Sequence, residues 1–286
     1  MTKCIRRNNM TFQQKLDAVV SKNNSLLCVG LDPEFPKIPE QFQKEKHPQF
    51  SFNKYIIDQT HEFVCCYKPN SAFYEARGAV GVAELKMTCD YIHQRYPDSP
   101  ILLDFKRGDI GNTNESYAQF AFEYLQVDAI TLQPYQGGEA LSLFFSRKEK
   151  GIFILCKTSN PGSGEFQNKN VQSGRDVPSE RLYELVARSV VSNWNKNNNC
   201  FLVVGATYPE ELAMVRKLVG DMTILVPGVG AQEGELEKSL RAGLNSKKMG
   251  MIINVSRGII FAQNPGVAAR LLRDEINTIR KYIASQ

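Results

Sequence analysis

A chain of 286 residues with 42% apolar and 10% aromatic side chains can build a substantial core, in one large domain or two small ones, and is not a disordered polymer. The formal net charge is only +5, with Lys and Arg scattered rather than massed, which argues against nucleic acid and suits an anionic small substrate better. No apolar run approaches membrane length and no apolar stretch follows the basic start Met1–Arg7, so neither a membrane span nor a signal peptide is expected, and residues 1–9 read as a loose tail.

The seven cysteines are Cys4, Cys28, Cys65, Cys66, Cys89, Cys156 and Cys200. Their number is odd and most sit in apolar runs, as small buried thiols of a reducing, cytoplasmic compartment do. No C-x-x-C occurs, and His47, His61 and His93 form no H-x-x-x-H pair, so no metal site is expected.

Along the chain, Thr11 and Gln14 offer a capping box for a first helix over 11–21. The run 26–33 is the first strand, ending in Asp32 before Pro33. A polar, proline-rich loop to about Pro48 and a helix over 52–62 follow. Strand two, 63–70, ends in Lys68-Pro-Asn70. A helix over 79–95 leads to strand three, and one over 115–125 to strand four, 129–134. A helix over 139–145 precedes strand five, 152–159. The Gly-, Asn-, Gln- and Ser-rich segment 160–177 reads as a lid or binding loop. Three more strand and helix pairs complete the chain: strands at 201–206, 223–228 and 250–258, helices at 179–194, 209–219 and 233–241, and a last helix over 265–283.

Eight mostly apolar strands alternate with helices, the pattern of parallel strands buried on both faces. In this length they fit a single (β/α)8 TIM barrel, an α/β fold spanning 1–286; an open doubly wound sheet is the competing arrangement. Tyr74, Trp194 and the phenylalanines at 120, 122, 144 and 145 read as packing between helices and barrel, and Arg107 as a surface charge.

Barrel active sites lie at the C-terminal ends of the strands. Those ends carry Asp32, Lys68, Asp104, Lys106, Asp109, Ser159, Gln232 and Arg257. The densest stretch is Asp104-Phe-Lys106-Arg-Gly-Asp109. Asp104 and Lys106, two apart on a strand, share a face. A surface salt-bridge cluster is the plain reading of such a motif. Lys68 on the neighbouring strand favours a site instead. A lysine between carboxylates is held protonated, unfit as a base or Schiff-base nucleophile but fit to stabilise an anion and donate a proton. On the other side of the mouth, Pro227-Gly-Val-Gly-Ala-Gln232 and Ser256-Arg257-Gly258 follow strands seven and eight, where phosphate sites of this fold lie. The paired glycines could also serve only a tight turn.

Asp104-x-Lys106-x-x-Asp109-Ile110-Gly-x-Thr113 resembles the signature of the orotidine 5′-phosphate decarboxylases. Further pieces match in the family's order: Gly30-Leu-Asp32-Pro33, Lys68-Pro-Asn70, Lys157-Thr-Ser-Asn-Pro161, Val204-Gly-Ala-Thr207, the 227–232 turn and Ser256-Arg257-Gly258. They reach from strand one to strand eight, and two of them resemble the longer-chain branch of the family. The resemblance implies a cofactor-independent lyase that converts orotidine 5′-phosphate to uridine 5′-phosphate and CO2 in pyrimidine (UMP) biosynthesis. It implies Lys68, Asp104, Lys106 and Asp109 as the catalytic network, with Lys106 protonating C6. Asp32, Asn70, Ile110, Thr113, Ser159, Gln232 and Arg257 are implied to bind the nucleotide. Asp109 and Thr113 are implied to reach the partner's site in a homodimer. Two rivals stay open: a related barrel using Mg2+ on a sugar phosphate, which carries an acid where Lys68 stands, and a barrel that only binds nucleotides.

Overall fold

The computed structural model describes residues 10–172, 174, 178–229 and 235–285. The expected tail at 1–9 and the phosphate candidate Gln232 lie outside the described residues.

Eight parallel strands carry the architecture: β1 (Leu27–Leu31), β2 (Cys66–Pro69), β3 (Leu102–Arg107), β4 (Ala129–Leu132), β5 (Gly151–Lys157), β8 (Cys200–Val204), β9 (Ile224–Pro227) and β10 (Met251–Val255). Their order in the sheet is β2-β1-β10-β9-β8-β5-β4-β3, so strands adjacent in the barrel sequence are neighbours throughout. No reversal of direction marks the switch point of a doubly wound sheet. β2 and β3 meet through the bridges Tyr67↔Ile101 and Asn70↔Asp104, which bring the sheet round to a nearly closed barrel. The remaining two strands, β6 (Asn170–Val171) and β7 (Glu180–Arg181), form a small antiparallel ribbon beside it.

The strands are apolar because both faces are covered. β1, β2, β4, β5 and β8 are buried along their whole length, with helices outside and interdigitated side chains within. At the N-terminal ends, Phe12 of the first helix packs edge-on to Phe153 and Phe201, at ring separations of 5.5 and 5.6 Å. That helix spans Phe12–Asn23 and begins on the expected reciprocal box of Thr11 and Gln14. Among the described residues, no helix is long and apolar enough to cross a membrane. Six cysteines, Cys28, Cys65, Cys66, Cys89, Cys156 and Cys200, are buried free thiols.

Several boundaries differ from expectation, each for a local reason. The helix placed at 52–62 spans Pro48–Thr60, because Pro48 sits in the first turn, where a missing N–H costs nothing. The proline-rich loop holds two short helical turns, Phe35–Lys37 and Glu40–Gln43. The helix expected at 115–125 starts at Gly111, runs to Ala118 and passes into a π-helical turn over Gln119–Tyr124. A second π turn, Val190–Trp194, ends the helix Leu182–Ser189. The 160–177 segment is not all loop: a 3-10 turn, Pro161–Glu165, and β6 lie in it.

Candidate active site

The C-terminal end of β3 is where the backbone departs most from a regular strand. Its register against β4 shifts between Leu103 and Arg107, and Lys106 takes a φ of +47°. A non-glycine residue in this left-handed region carries strain on the order of 1 kcal/mol or more, so its surroundings must impose it. They do so at both ends of the residue. The Lys106 N–H donates to Thr131 Oγ1 at 3.0 Å, and the ammonium donates to Asp104 Oδ1 at 2.6 Å.

Asp104 is the hub. Its Oδ1 also accepts from the Thr131 hydroxyl at 2.8 Å, and its Oδ2 accepts from Lys68 Nζ at 3.0 Å. Lys68 and Asp104 are buried, whereas the Lys106 side chain keeps 44% of its surface exposed. The burial shapes the electrostatics. Desolvation opposes the charged form of both buried groups, but the neighbours win. Asp104 and Asp32 beside it hold the Lys68 pKa above the usual lysine value. Lys68 and Lys106 hold the Asp104 carboxyl well below the usual carboxylate range. The buried pair therefore keeps its charges, and of the three side chains only Lys106 reaches solvent to any extent.

The neighbouring strands bring the nucleotide-binding candidates Asp32 and Asn70 next to this hub. Gly30 is in register with Lys68, which places Asp32 just past the β1–β2 ladder. Among the described residues, Asp32 Oδ1 is buried without a hydrogen-bond partner, an acceptor free to meet a ligand. Asn70 bridges to Asp104 through the backbone, and the Ser71 N–H donates to the Asp104 carbonyl.

Ser159 lies across the mouth, packed so tightly on Gly205 that a Cβ there would sit 2.7–2.8 Å from its atoms. A cavity of about 1010 Å3 joins the two sides. Lys68, Asp104, Lys106 and Thr131 form its charged end, and Ser159 with Thr158 and Gln167 its far rim.

Two groups of expected site residues stand apart. Asp109 makes no ion pair among the described residues; its carboxylate accepts from the Ile110 N–H at 2.8 Å. Its backbone is pinned by buried Asn114, which accepts from the Asp109 N–H and donates to its carbonyl. Ile110 and Thr113 are exposed, and Thr113 sits in the first turn of the helix Gly111–Ala118. Arg257, at the start of the short helix Arg257–Ile260, is exposed and does not line the cavity among the described residues. Arg107, expected as a surface charge, pairs with Glu75 at 2.5 Å.

Trp194, read as packing, stacks on Phe145 at 5.8 Å and also lines the cavity. Thr131 was not among the expected residues; its one signal is a hydroxyl inside the otherwise apolar run Ala129–Leu132. Lys157, fully buried at the end of β5, is a second such residue.

Fold and site together define a (β/α)8 barrel with an alternating array of lysine and aspartate at the C-terminal ends of its strands. Residues 25–272 match the model of the orotidine 5′-phosphate decarboxylase / HUMPS family. The orotidine 5′-phosphate decarboxylase of Cellvibrio japonicus is 44% identical over 276 residues, covering 96% of this chain and 98% of that protein. That of Roseiflexus castenholzii is 45% identical over 281 residues, covering 96% and 100%. Among solved structures, Leishmania donovani OMP decarboxylase superposes with a TM-score of 0.84 at 42% identity, covering 95% of this chain and all of that one. A putative orotidine-monophosphate decarboxylase from Toxoplasma gondii gives 0.87 at 41%, covering 97% and 98%. The chain belongs to the orotidine 5′-phosphate decarboxylase / HUMPS family, and it is an enzyme of the carboxy-lyase class.

Proposed function

We propose that this enzyme converts orotidine 5′-phosphate to uridine 5′-phosphate and CO2 without a cofactor, the decarboxylation that yields UMP in pyrimidine biosynthesis. Loss of CO2 leaves an electron pair at C6 in the plane of the ring, where the ring π-system cannot delocalise it. Electrostatic stabilisation must then do what an electron sink does elsewhere. The observation that carries this reading is the Lys68–Asp104–Lys106 array with a single exposed ammonium. Lys106 faces the cavity, stabilises the C6 carbanion and protonates it. Asp104 lies beside the departing carboxylate and holds Lys106 in place.

The buried Asp32 oxygen and Lys68, with Asn70, take the ribose hydroxyls. Ser159 meets the pyrimidine edge. Gln232 and Arg257 hold the phosphate, and the 160–177 segment folds over it, so that binding far from C6 contributes to closure. Asp109, whose carboxylate makes no ion pair among the described residues, and exposed Ile110 and Thr113 complete the site of a partner subunit in a homodimer. The enzyme acts as a single barrel domain in the cytoplasm.

The same geometry weighs against the Mg2+-dependent sugar-phosphate reading. Both oxygens of Asp104 are already taken by two ammonium groups and a hydroxyl, and β2 ends in Lys68 rather than an acid. A divalent cation at Asp104 would have to displace these donors.

The test follows the ultraviolet absorbance of orotidine 5′-phosphate with purified protein in EDTA, beside Lys106→Ala. The parent converts the substrate at a rate EDTA leaves unchanged, and the variant loses turnover while keeping its fold. Activity lost to EDTA and restored by Mg2+ would instead favour the rival.

A further inference from the structure

We propose that Thr131 is a positioning residue for the proton donor: one hydroxyl that locks both the backbone and the charge partner of Lys106. The inference rests on the decarboxylase reading of the site and adds a residue on a fourth strand to it.

The hydroxyl's bonding leaves it one orientation. Thr131 Oγ1 accepts from the Lys106 N–H at 3.0 Å. Asp104 is a carboxylate and can only accept, so the Thr131 proton must point to Asp104 Oδ1, 2.8 Å away. A group that accepts at one end and donates at the other ties three residues into one ring: Lys106 N–H to Thr131, Thr131 O–H to Asp104, Asp104 back to the Lys106 ammonium. Within this ring Lys106 adopts its φ of +47°. At the register shift between β3 and β4 the Lys106 amide takes a side-chain acceptor, Thr131 Oγ1. Thr131 is itself buried on β4, a rigid strand, so the ring is anchored to the barrel wall rather than to a loop.

The ring also bears on the proton step. Once Lys106 has given its proton to C6, Asp104 still accepts from Lys68 and Thr131. The carboxylate thus stays in place as Lys106 changes charge. Among the described residues the Thr131 hydroxyl bonds the donor Lys106 and its partner Asp104, and makes no hydrogen bond to Asp32, Lys68, Asn70 or Arg257. Its removal therefore acts on the chemical step more than on binding.

Thr131→Val keeps the shape and removes both hydrogen bonds. The expected result is a single-turnover rate and a kcat lowered by roughly 10- to 100-fold, with KM changed by less than about threefold, the pattern of an interaction that matters mainly in the transition state. Thr131→Ser, which keeps the hydroxyl, restores the rate to within about threefold of the parent. If Thr131→Val fails to fold, Thr131→Ala and Thr131→Ser carry the same comparison. A Thr131→Val enzyme within twofold of the parent, or a Thr131→Ser enzyme as slow as Thr131→Val, overturns the positioning role while leaving the decarboxylase reading intact. A parent that neither turns over orotidine 5′-phosphate nor binds UMP by calorimetry defeats that reading and this proposal together.

Discussion

Lys68 and Asp104 titrate in opposite directions from their ordinary values, and the two signs set the pH behaviour of the site. A carboxyl held low in the folded state contributes stability that is present above its unfolded value and is lost only as pH falls through the folded one. Asp104 is such a group, because Lys68 and Lys106 outweigh its burial. An ammonium held high contributes stability fully present below its unfolded value and lost as pH rises through the folded one. Lys68 is such a group, because Asp104 and Asp32 outweigh its burial. The buried pair therefore keeps both charges from below about pH 4 to above about pH 10, given ordinary values near those limits. Under saturating substrate, kcat is expected to show no limb from this pair between about pH 5 and 9. Measuring kcat and Tm across the same buffers checks it: a kcat limb inside that window, matched by a fall in Tm, would assign the titration to the buried pair. This pair was legible in the sequence because charged residues ending apolar strands are costly unless they meet, and the barrel makes them meet. Thr131 was not, because a threonine in a strand is ordinary by β-propensity and its role depends on a register shift.

The loops after β5 and β8 meet through one buried lysine. Leu155 lines the cavity, and on a regular strand Lys157 would share its face. A register shift between these two residues against β8 breaks the alternation. The Lys157 ammonium instead donates to Ser163 Oγ in the 3-10 turn Pro161–Glu165 and lies 3.9 Å from the centroid of the Tyr208 ring. Burial pulls its pKa below the ordinary lysine value, against the opposing pull of the Glu211 carboxylate. The charge holds Thr158 and Ser159 between two fixed points. Lys157→Met is expected to weaken UMP binding by about tenfold, the loss of one charge-assisted hydrogen bond and one cation–π contact. Protease cleavage near residues 161–167 should quicken in the same variant. Calorimetry with UMP and timed proteolysis check it; unchanged affinity with a lowered Tm would make Lys157 a matter of stability alone. At this scale the sequence was legible in its strands and long helices, whose apolar periods are strong. It was less so where turns decide. The two π segments are invisible to a 3.6-residue period, and the helix starting at Gly111 carries no capping side chain to announce it.

A barrel with its charged ring at one end can still be an incomplete enzyme. The fold was readable because eight βα units in 286 residues leave few alternatives, and the hydrogen-bonded order of the strands agrees. The homodimer is an expectation of family resemblance alone, since nothing in a single chain's hydrophobic pattern says which surface meets a partner. The structure adds a physical pointer. Around the mouth, Ile110 and Tyr135 are exposed, Tyr135 to 95%, next to an Asp109 whose backbone is pinned by Asn114 and whose carboxylate forms no ion pair among the described residues. If a two-fold dimer puts Asp109 of each chain into the other's site, Lys106 and Asp109 of one working site come from different subunits. Lys106→Ala and Asp109→Ala, each inactive alone, should then complement when mixed and re-formed from unfolded chains. Random pairing makes half the dimers mixed, each with one intact site and one doubly defective, so activity should return to about a quarter of the parent's. Mixing without reassembly should return activity only as far as intact subunits exchange. Were each site instead built from one chain, no mixing protocol could place an intact Lys106 beside an intact Asp109, and the re-formed mixture would stay as inactive as its parts.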